Sequence, residues 1–404
     1  MTSPLLGSAP AGAGPDTDAM KQIVARLAAD EYAGRRVGTP GGRAAAEWLA
    51  DLLSEVGAAV TLDEFAVRGA VREVYATPQL TIHNGHTARD LVFRREFCEH
   101  LASADRPEPR IGPLADIGDR DLSGAWVLDG GMSADRAAIA YASGAVGLLV
   151  PRGTDAAGWM PKMIAGPAPV ALPVLAVRND LHEQLRPAIG TGAVTASVPL
   201  RTVDVTGTNV LATFRRPSPE RLAVLLTAHF DGVGDDPGGV RFPAACDNAS
   251  GVAAIVAAAR VLDAILPRQV GLAVALLDAE EAGAHGSAYH ARFVEDGTFV
   301  VNLDGAAQLS DAAHVQAGGP AHPLLAALDA AGRKVGVPLL AAAMPSDNRR
   351  YAAAGLAAVG IGMGMPGYQT PAETADRVEE ATLDRAARLV VATVTNLAAA
   401  YNPR

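Results

Sequence analysis

Cysteine is nearly absent. Cys98 and Cys246 are the only two in 404 residues, which excludes a disulfide framework and fits a reducing compartment. A cytoplasmic protein is the expectation, or a secreted one if a leader was removed. Aromatic residues are scarce too, at 4%, so packing falls to Ala, Val, Leu and Gly. Positive charge is not in excess: 34 Lys and Arg stand against 44 Asp and Glu, a formal charge of −10. That balance argues against the basic face a nucleic-acid partner needs and against a polybasic membrane anchor. No apolar run reaches the roughly 20 residues of a membrane span. The longest candidate, residues 137–150, is broken by Ser143 and Gly144. The first 16 residues lack the charged start and sustained apolar stretch of a signal peptide, and read as a flexible tail. No internal repeat is visible.

Hydrophobic residues make up 49% of the chain, enough for a large core and too many for disorder throughout. Residues 17–55 carry a helical period in Ile23, Leu27, Ala46, Leu49, Leu52 and Leu53, interrupted by a loop at Arg35-Arg36-Val-Gly-Thr-Pro-Gly-Gly42. Residues 72–199 differ in texture. Their apolar runs are short, Pro and Gly are frequent, and helical signal is confined to residues 133–143, which predicts a separate β-rich module. From Thr206 onward, strand-like runs at 222–227, 270–277, 299–303 and 356–361 alternate with helical patterns at 249–266, 323–335 and 383–401. That alternation predicts an α/β fold: a mixed, mostly parallel sheet flanked by helices. Residues 17–71 and 200–404 would form one discontinuous catalytic domain around the inserted module.

In such sheets ligands bind beyond the carboxyl ends of the strands. His229 and Asp231 follow the first run, Glu280 and Glu281 the second, and Asp304 the third, while Asp247-Asn248 precedes the helix at Ala249. Alone, each has a bland reading: an Asp-Asn pair caps a helix, and a Glu-Glu pair opens one. Together they bring one imidazole and several carboxylates to one sheet edge. Such a cluster repels itself unless a cation neutralises it, and its donor types suit one or two divalent ions.

The strings Thr-Ala-His229-Phe-Asp231, Ala-Cys246-Asp247-Asn248-Ala-Ser-Gly-Val, Asp-Ala-Glu280-Glu281-Ala-Gly-Ala-His-Gly-Ser and Val-Asn-Leu-Asp304 resemble a zinc metallopeptidase family. It includes bacterial leucyl aminopeptidases, glutamate carboxypeptidase and, as non-peptidase relatives, glutaminyl cyclase and the transferrin receptor. The middle module resembles a protease-associated domain through Leu122-Ser-Gly-Ala-Trp-Val-Leu-Asp-Gly-Gly and the run that starts at Ala137. The resemblance implies a metal-dependent hydrolase of peptide or small amide bonds, aminopeptidase-like, with zinc as cofactor. Asp247 would bridge two metals, His229 and Asp304 would complete one site, and Glu281 would belong to the other. Glu280 would be the general base that takes a proton from the bridging water, and Asp231 would orient His229. A non-peptidase relative, by acyl transfer, cyclisation or inactive binding, is the alternative.

One stretch departs from the family pattern. Where the family has Tyr-His-Thr and an Asp four residues after the His, this chain has Tyr368-Gln369-Thr370 and Glu373. Gln369 would stand as third ligand of the Glu281 metal. Its neutral amide oxygen is a poorer zinc ligand than imidazole, so that site is expected to hold zinc weakly, take a harder ion or stay empty. His285, His290, His314 and His322 are substitutes of lower rank. Cys246, where relatives usually carry Asp, reads as a small buried residue. Arg349 and Arg350 follow Ser346-Asp347, a segment that lines the substrate pocket in relatives. They read as a solvated helix start, with receipt of a substrate carboxylate as the alternative. His83, His86, His100 and His182 of the middle module have no ligand-like spacing, and the module is expected to supply no metal ligand.

Overall fold

The computed structural model of the protein describes residues 14–217 and 221–401. Most of the expected flexible tail, residues 1–13, lies outside the described residues. Asp16 caps the first helix, Thr17–Leu27, by accepting from the Ala19 N–H, and Ile23, Val24 and Leu27 bury its apolar stripe. The expected loop through Gly42 is shorter than the turn residues suggest. Thr39 accepts from the Gly42 N–H, and the helix Pro40–Glu55 starts on Pro40, where a missing N–H costs nothing.

The first sheet has eight strands, in the order Ala59–Val74, Leu200–Arg215, Gly271–Leu277, Ala223–His229, Phe299–Leu303, Ala357–Gly362, Ala313–Gly318 and Leu339–Ala341. Four of its seven pairings are parallel. This is the mixed, mostly parallel sheet that the alternating pattern predicts. Its parallel strands are buried on both faces and read as continuous apolar runs. The helices Ser250–Ile265 and Glu380–Tyr401 pack with the first two against it in one large core. The segment Ala245–Ile265 is long and apolar enough to cross a membrane, and 78% of its most apolar stretch is buried in the protein. The sequence reading marks residues 249–266 as a helical pattern without weighing its apolar length. Its Ala-rich face serves the core, because close helix–sheet packing needs small side chains there.

A second eight-stranded sheet, strands within 79–198, carries the helices Ala134–Ala142 and Asn179–Leu185 and has its own apolar clusters around Trp126, Leu149 and Val174. The long antiparallel pair Ala59–Val74 and Leu200–Arg215 runs from one unit into the other. Between the units lies a buried charge cluster. The Arg94 guanidinium donates to Asp236 and Glu99, and Lys162 pairs with Asp236 at 3.0 Å. Burial drives the Arg94 guanidinium toward its neutral form, but Glu99 and Asp236 outweigh that and hold it charged.

Candidate metal centre

His229 is the last residue of the strand Ala223–His229, and Asp304 follows the strand Phe299–Leu303 directly. Asp247 lies in the tight turn Ala245–Ala249 that opens the helix Ser250–Ile265. Asn248 fixes that turn. Its side-chain oxygen accepts from Gly251 and Gly305 N–H, and its amide donates to the Leu303 carbonyl at 2.9 Å. A Cβ on Gly251 would lie 2.1 Å from the Asn248 oxygen, so only glycine lets the helix start this close to the strand end. The Asp-Asn pair is thus part of a brace, and the simple N-cap reading does not apply.

These elements bring three donors together. His229 Nε2 lies 3.0 Å from Asp247 Oδ1 and 3.3 Å from Asp304 Oδ1. Among the described residues this is the one cluster of three ligand types whose donor atoms all fall within 4.8 Å of each other. Asp247 Oδ1 is buried and, despite its proximity to the imidazole, accepts no hydrogen bond. An oxygen left bare in a dry site is costly unless a cation sits beside it. One imidazole and two carboxylates form the nitrogen and oxygen set that zinc takes in hydrolytic sites. These residues fit the metal.

The electrostatics point the same way. Burial pushes the Asp247, Glu281 and Glu373 carboxyls above their ordinary values. Burial opposes charge on His229, but Asp304, Asp231 and Asp247 outweigh it and raise its pKa well above 6.5. The nearest fixed cation offsets part of this charge from a distance but donates to none of the carboxylates. Arg35, fully buried below the site, spends its guanidinium on the carbonyls of Leu27, Phe230, Pro243 and Ala244.

Asp231 has two contacts. Its carbonyl and carboxylate lie 3.2 and 3.5 Å from His229 Nδ1, and its carboxylate accepts from the backbone N–H of Glu280 and Glu281. It therefore orients the imidazole and also pins the turn that carries the two glutamates. Glu280 is half-buried and lines a cavity of about 480 Å³ together with Glu281, Ser346 and Gln369. Burial raises its carboxyl well above 4.5.

Glu281 stands apart from the His229 cluster. Its Oε2 accepts from Gln369 Nε2 at 2.5 Å, and Gln369 Oε1 is buried without a partner. Glu373 clamps the loop: one oxygen accepts from the Asp247 N–H and the other from the Gln369 N–H at 2.8 Å. Cys246 is fully buried, and burial raises its thiol pKa. His290 bonds the Tyr351 hydroxyl at 2.8 Å, and His182 and His83 meet Leu149 and Thr195. None of the histidines in the middle module joins the three-ligand cluster.

Sequence reasoning passed over several supports. Asp278 accepts from Thr208 and Ala279 N–H, and Asn209 ties Asp278 to Gly286, which shapes the loop behind Glu280. Asp278 is the first polar residue after an apolar strand, so position alone could have marked it. The middle module also reaches the site. The Lys162 N–H donates to the Gln369 carbonyl at 2.9 Å, Thr370 Oγ1 donates to Asp155 at 2.7 Å, and Met163 lines the cavity. Nothing in the sequence around Met163 marks it, since the segment has no regular structure and lies far from Glu280 along the chain.

An α/β sheet whose strand ends gather a buried imidazole, carboxylates and an adjacent glutamate defines a metal-dependent hydrolase. Residues 209–394 match the model of peptidase family M28. Solved structures share the fold over nearly the whole chain. BSAP, a zinc aminopeptidase from Bacillus subtilis, is 20% identical, covers 96% of each chain and superposes with a TM-score of 0.71. The aminopeptidase from Aneurinibacillus sp. strain AM-1 is 21% identical over 94% of this chain and 93% of its own, TM-score 0.68. A peptidase M28 precursor from Shewanella amazonensis SB2B is 19% identical over 95% and 97%, TM-score 0.67. No curated protein matches the chain.

Proposed function

We propose that this protein is an aminopeptidase-like hydrolase of peptide or small amide bonds that holds one firm zinc ion, on His229, Asp247 and Asp304. The observation that carries this reading is the convergence of those three donors, with Asp247 Oδ1 left bare, beside the half-buried Glu280. Zinc bound there would polarise the scissile carbonyl and make water easier to deprotonate near neutral pH. Glu280 is the group free for proton transfer. It accepts a proton from the attacking water and returns it to the leaving amine, and its burial-raised pKa suits both halves of that task. Asp231 keeps Glu280 in place through the backbone and keeps His229 oriented.

The second half of the cluster is closed. For Glu281 to hold an ion with Gln369, the amide would have to turn its oxygen inward, and Glu281 would lose the donor its carboxylate now has. A neutral amide contributes no charge to offset that loss. Residues 72–199 are read as a protease-associated-like module that walls the cavity and supplies no ligand. The two free, buried cysteines support a reducing, cytoplasmic setting.

The test is metal analysis followed by an assay of amino-acid release from a panel of short peptides. We expect about one zinc per chain and activity that chelation abolishes and zinc restores. A zinc-loaded protein that cleaves no peptide or aminoacyl amide would overturn the hydrolase reading.

A further inference from the structure

The cavity above Glu280 is bipolar. Its lining includes the carboxylates of Glu280 and Glu281 and also Arg349 and Arg350, both exposed. The two guanidiniums bond neutral acceptors only. Arg350 Nη2 donates to the Gly283 carbonyl at 2.6 Å, in the loop just after Glu281, and Arg349 Nε donates to Gln316 Oε1 at 3.0 Å. Each of these anchors uses one N–H of a five-donor group and fixes its direction. Neither guanidinium pairs with a carboxylate among the described residues. Arg94 and Lys162 are matched to Asp236, and Arg36 and Arg201 to Glu73, whereas Arg35, the other arginine without a carboxylate partner near the site, is fully buried and spends its donors on four carbonyls. In a chain with a formal charge of −10, two adjacent arginines without an acidic partner on the wall of the cavity that Glu280 lines are an imbalance.

We propose that the substrate carries a carboxylate close to its scissile bond and that Arg349 and Arg350 receive it. The inference rests on the hydrolase reading and sharpens it to a substrate class. A planar guanidinium binds a carboxylate through paired N–H donors, and two side by side can meet both of its oxygens. The volume of about 480 Å³ suits a ligand of a few residues and not a folded polypeptide. A short peptide fits both poles. Its amine faces the glutamates, its anionic end faces the arginines, and the bond between them lies over Glu280. The carboxylate can come from a free C-terminus or from an acidic side chain next to the bond, and the two sources share the same recognition chemistry.

The test uses the zinc-loaded full-length protein and ligands that cannot be cleaved, so that binding is read apart from hydrolysis. The probes are leucyl-glycine with its amide reduced to CH2–NH, the same compound as its C-terminal amide, and the reduced leucyl-aspartic acid amide, which keeps only the side-chain carboxylate. Titration calorimetry should show the free acid binding about tenfold more tightly than the neutral amide, the scale of a part-exposed charge-assisted contact. The Arg349→Gln/Arg350→Gln variant should bind acid and amide alike. Tight binding of the aspartyl compound assigns the carboxylate to the side chain, and weak binding assigns it to the C-terminus. Equal binding of all three probes by the unmodified protein would overturn the proposal, because the arginines would then serve only to offset the acidic lining. A preference that survives in the double variant would overturn it as well. The acid–amide comparison needs no variant, so a variant that fails to fold leaves the proposal testable. If the preference holds but no peptide or aminoacyl amide of the panel is cleaved, the hydrolase reading falls and the binding assignment stands.

Discussion

The two halves of the carboxylate cluster are built by different means. His229 and Asp304 come from the ends of neighbouring parallel strands, and Asp247 from a turn braced by Asn248, so this half is held by the sheet itself. Glu281 and Gln369 come from loops, and their mutual hydrogen bond replaces what a shared ion would otherwise do. Each half leaves one buried oxygen bare, Asp247 Oδ1 in the first and Gln369 Oε1 in the second, but only in the second does the loop carboxylate have a side-chain amide donor. A protein can therefore keep most of a two-ion constellation and still be organised around one, because the deciding quantity is how each carboxylate's charge is met.

The largest effect should come from the rigid half. His229→Ala removes the only nitrogen donor of the three-ligand cluster. Zinc content should fall from about one per chain to near zero and hydrolysis to background. In the unmodified protein, free zinc at about 100 times its dissociation constant should stabilise the fold by about 2.7 kcal/mol, and the variant should lose that gain. Thermal unfolding with and without zinc checks this. Equal zinc content in both proteins would move the metal away from the strand ends.

Glu280→Gln should separate proton transfer from metal binding. It keeps size and hydrogen-bonding capacity but removes the basic oxygen. Hydrolysis should fall by about 10²-fold or more while zinc content stays as it was. Unchanged turnover would mean that Glu280 is not the base.

Gln369→His tests the loop half. Imidazole supplies the nitrogen ligand for zinc that the amide lacks. Zinc stoichiometry after equal loading and removal of excess should rise from about one toward two. Activity on aminoacyl substrates should rise with it. Two firmly held ions in the unmodified protein would show that Glu281 and Gln369 form an adequate site as they stand, and the contrast between the halves would collapse.

The rigid half was legible in the sequence and the loop half only partly so. A buried parallel strand is a continuous apolar run, so the residue that follows it is easy to mark, and Phe299–Leu303 with Asp304 shows this directly. Gln369 was visible as a departure from a pattern, but its hydrogen bond to Glu281 spans 88 residues and no local spacing encodes it. The same holds for Asp231, whose grip on the Glu280–Glu281 backbone is a contact between two strand ends. The paired strands Ala59–Val74 and Leu200–Arg215 were hidden because polar residues interrupt them on their exposed faces. The helix at Pro40 was misread as loop because proline and glycine, which usually end structure, here open it.

The smallest effect concerns how the loop half is held. Thr370, next to Gln369, donates to Asp155 of the middle module, and Lys162 of that module donates to the Gln369 carbonyl. If the module positions the loop, the Thr370–Asp155 bond should be coupled to function and not only to stability. Thr370→Val and Asp155→Ala each remove one partner. Each also removes a local bond, the Ala372 N–H to Thr370 Oγ1 and the Trp159 N–H to Asp155, so single variants do not isolate the contact. A double-mutant cycle does. In denaturant unfolding the coupling should be about 1 kcal/mol, the usual net value of one such hydrogen bond. In the same cycle on kcat, a few-fold coupling should appear while zinc content stays constant, since the His229 half does not depend on this loop. Coupling in stability with none in kcat would mean that the module merely packs against the loop. Coupling that extends to zinc content would mean that the two halves of the site are less independent than their construction implies.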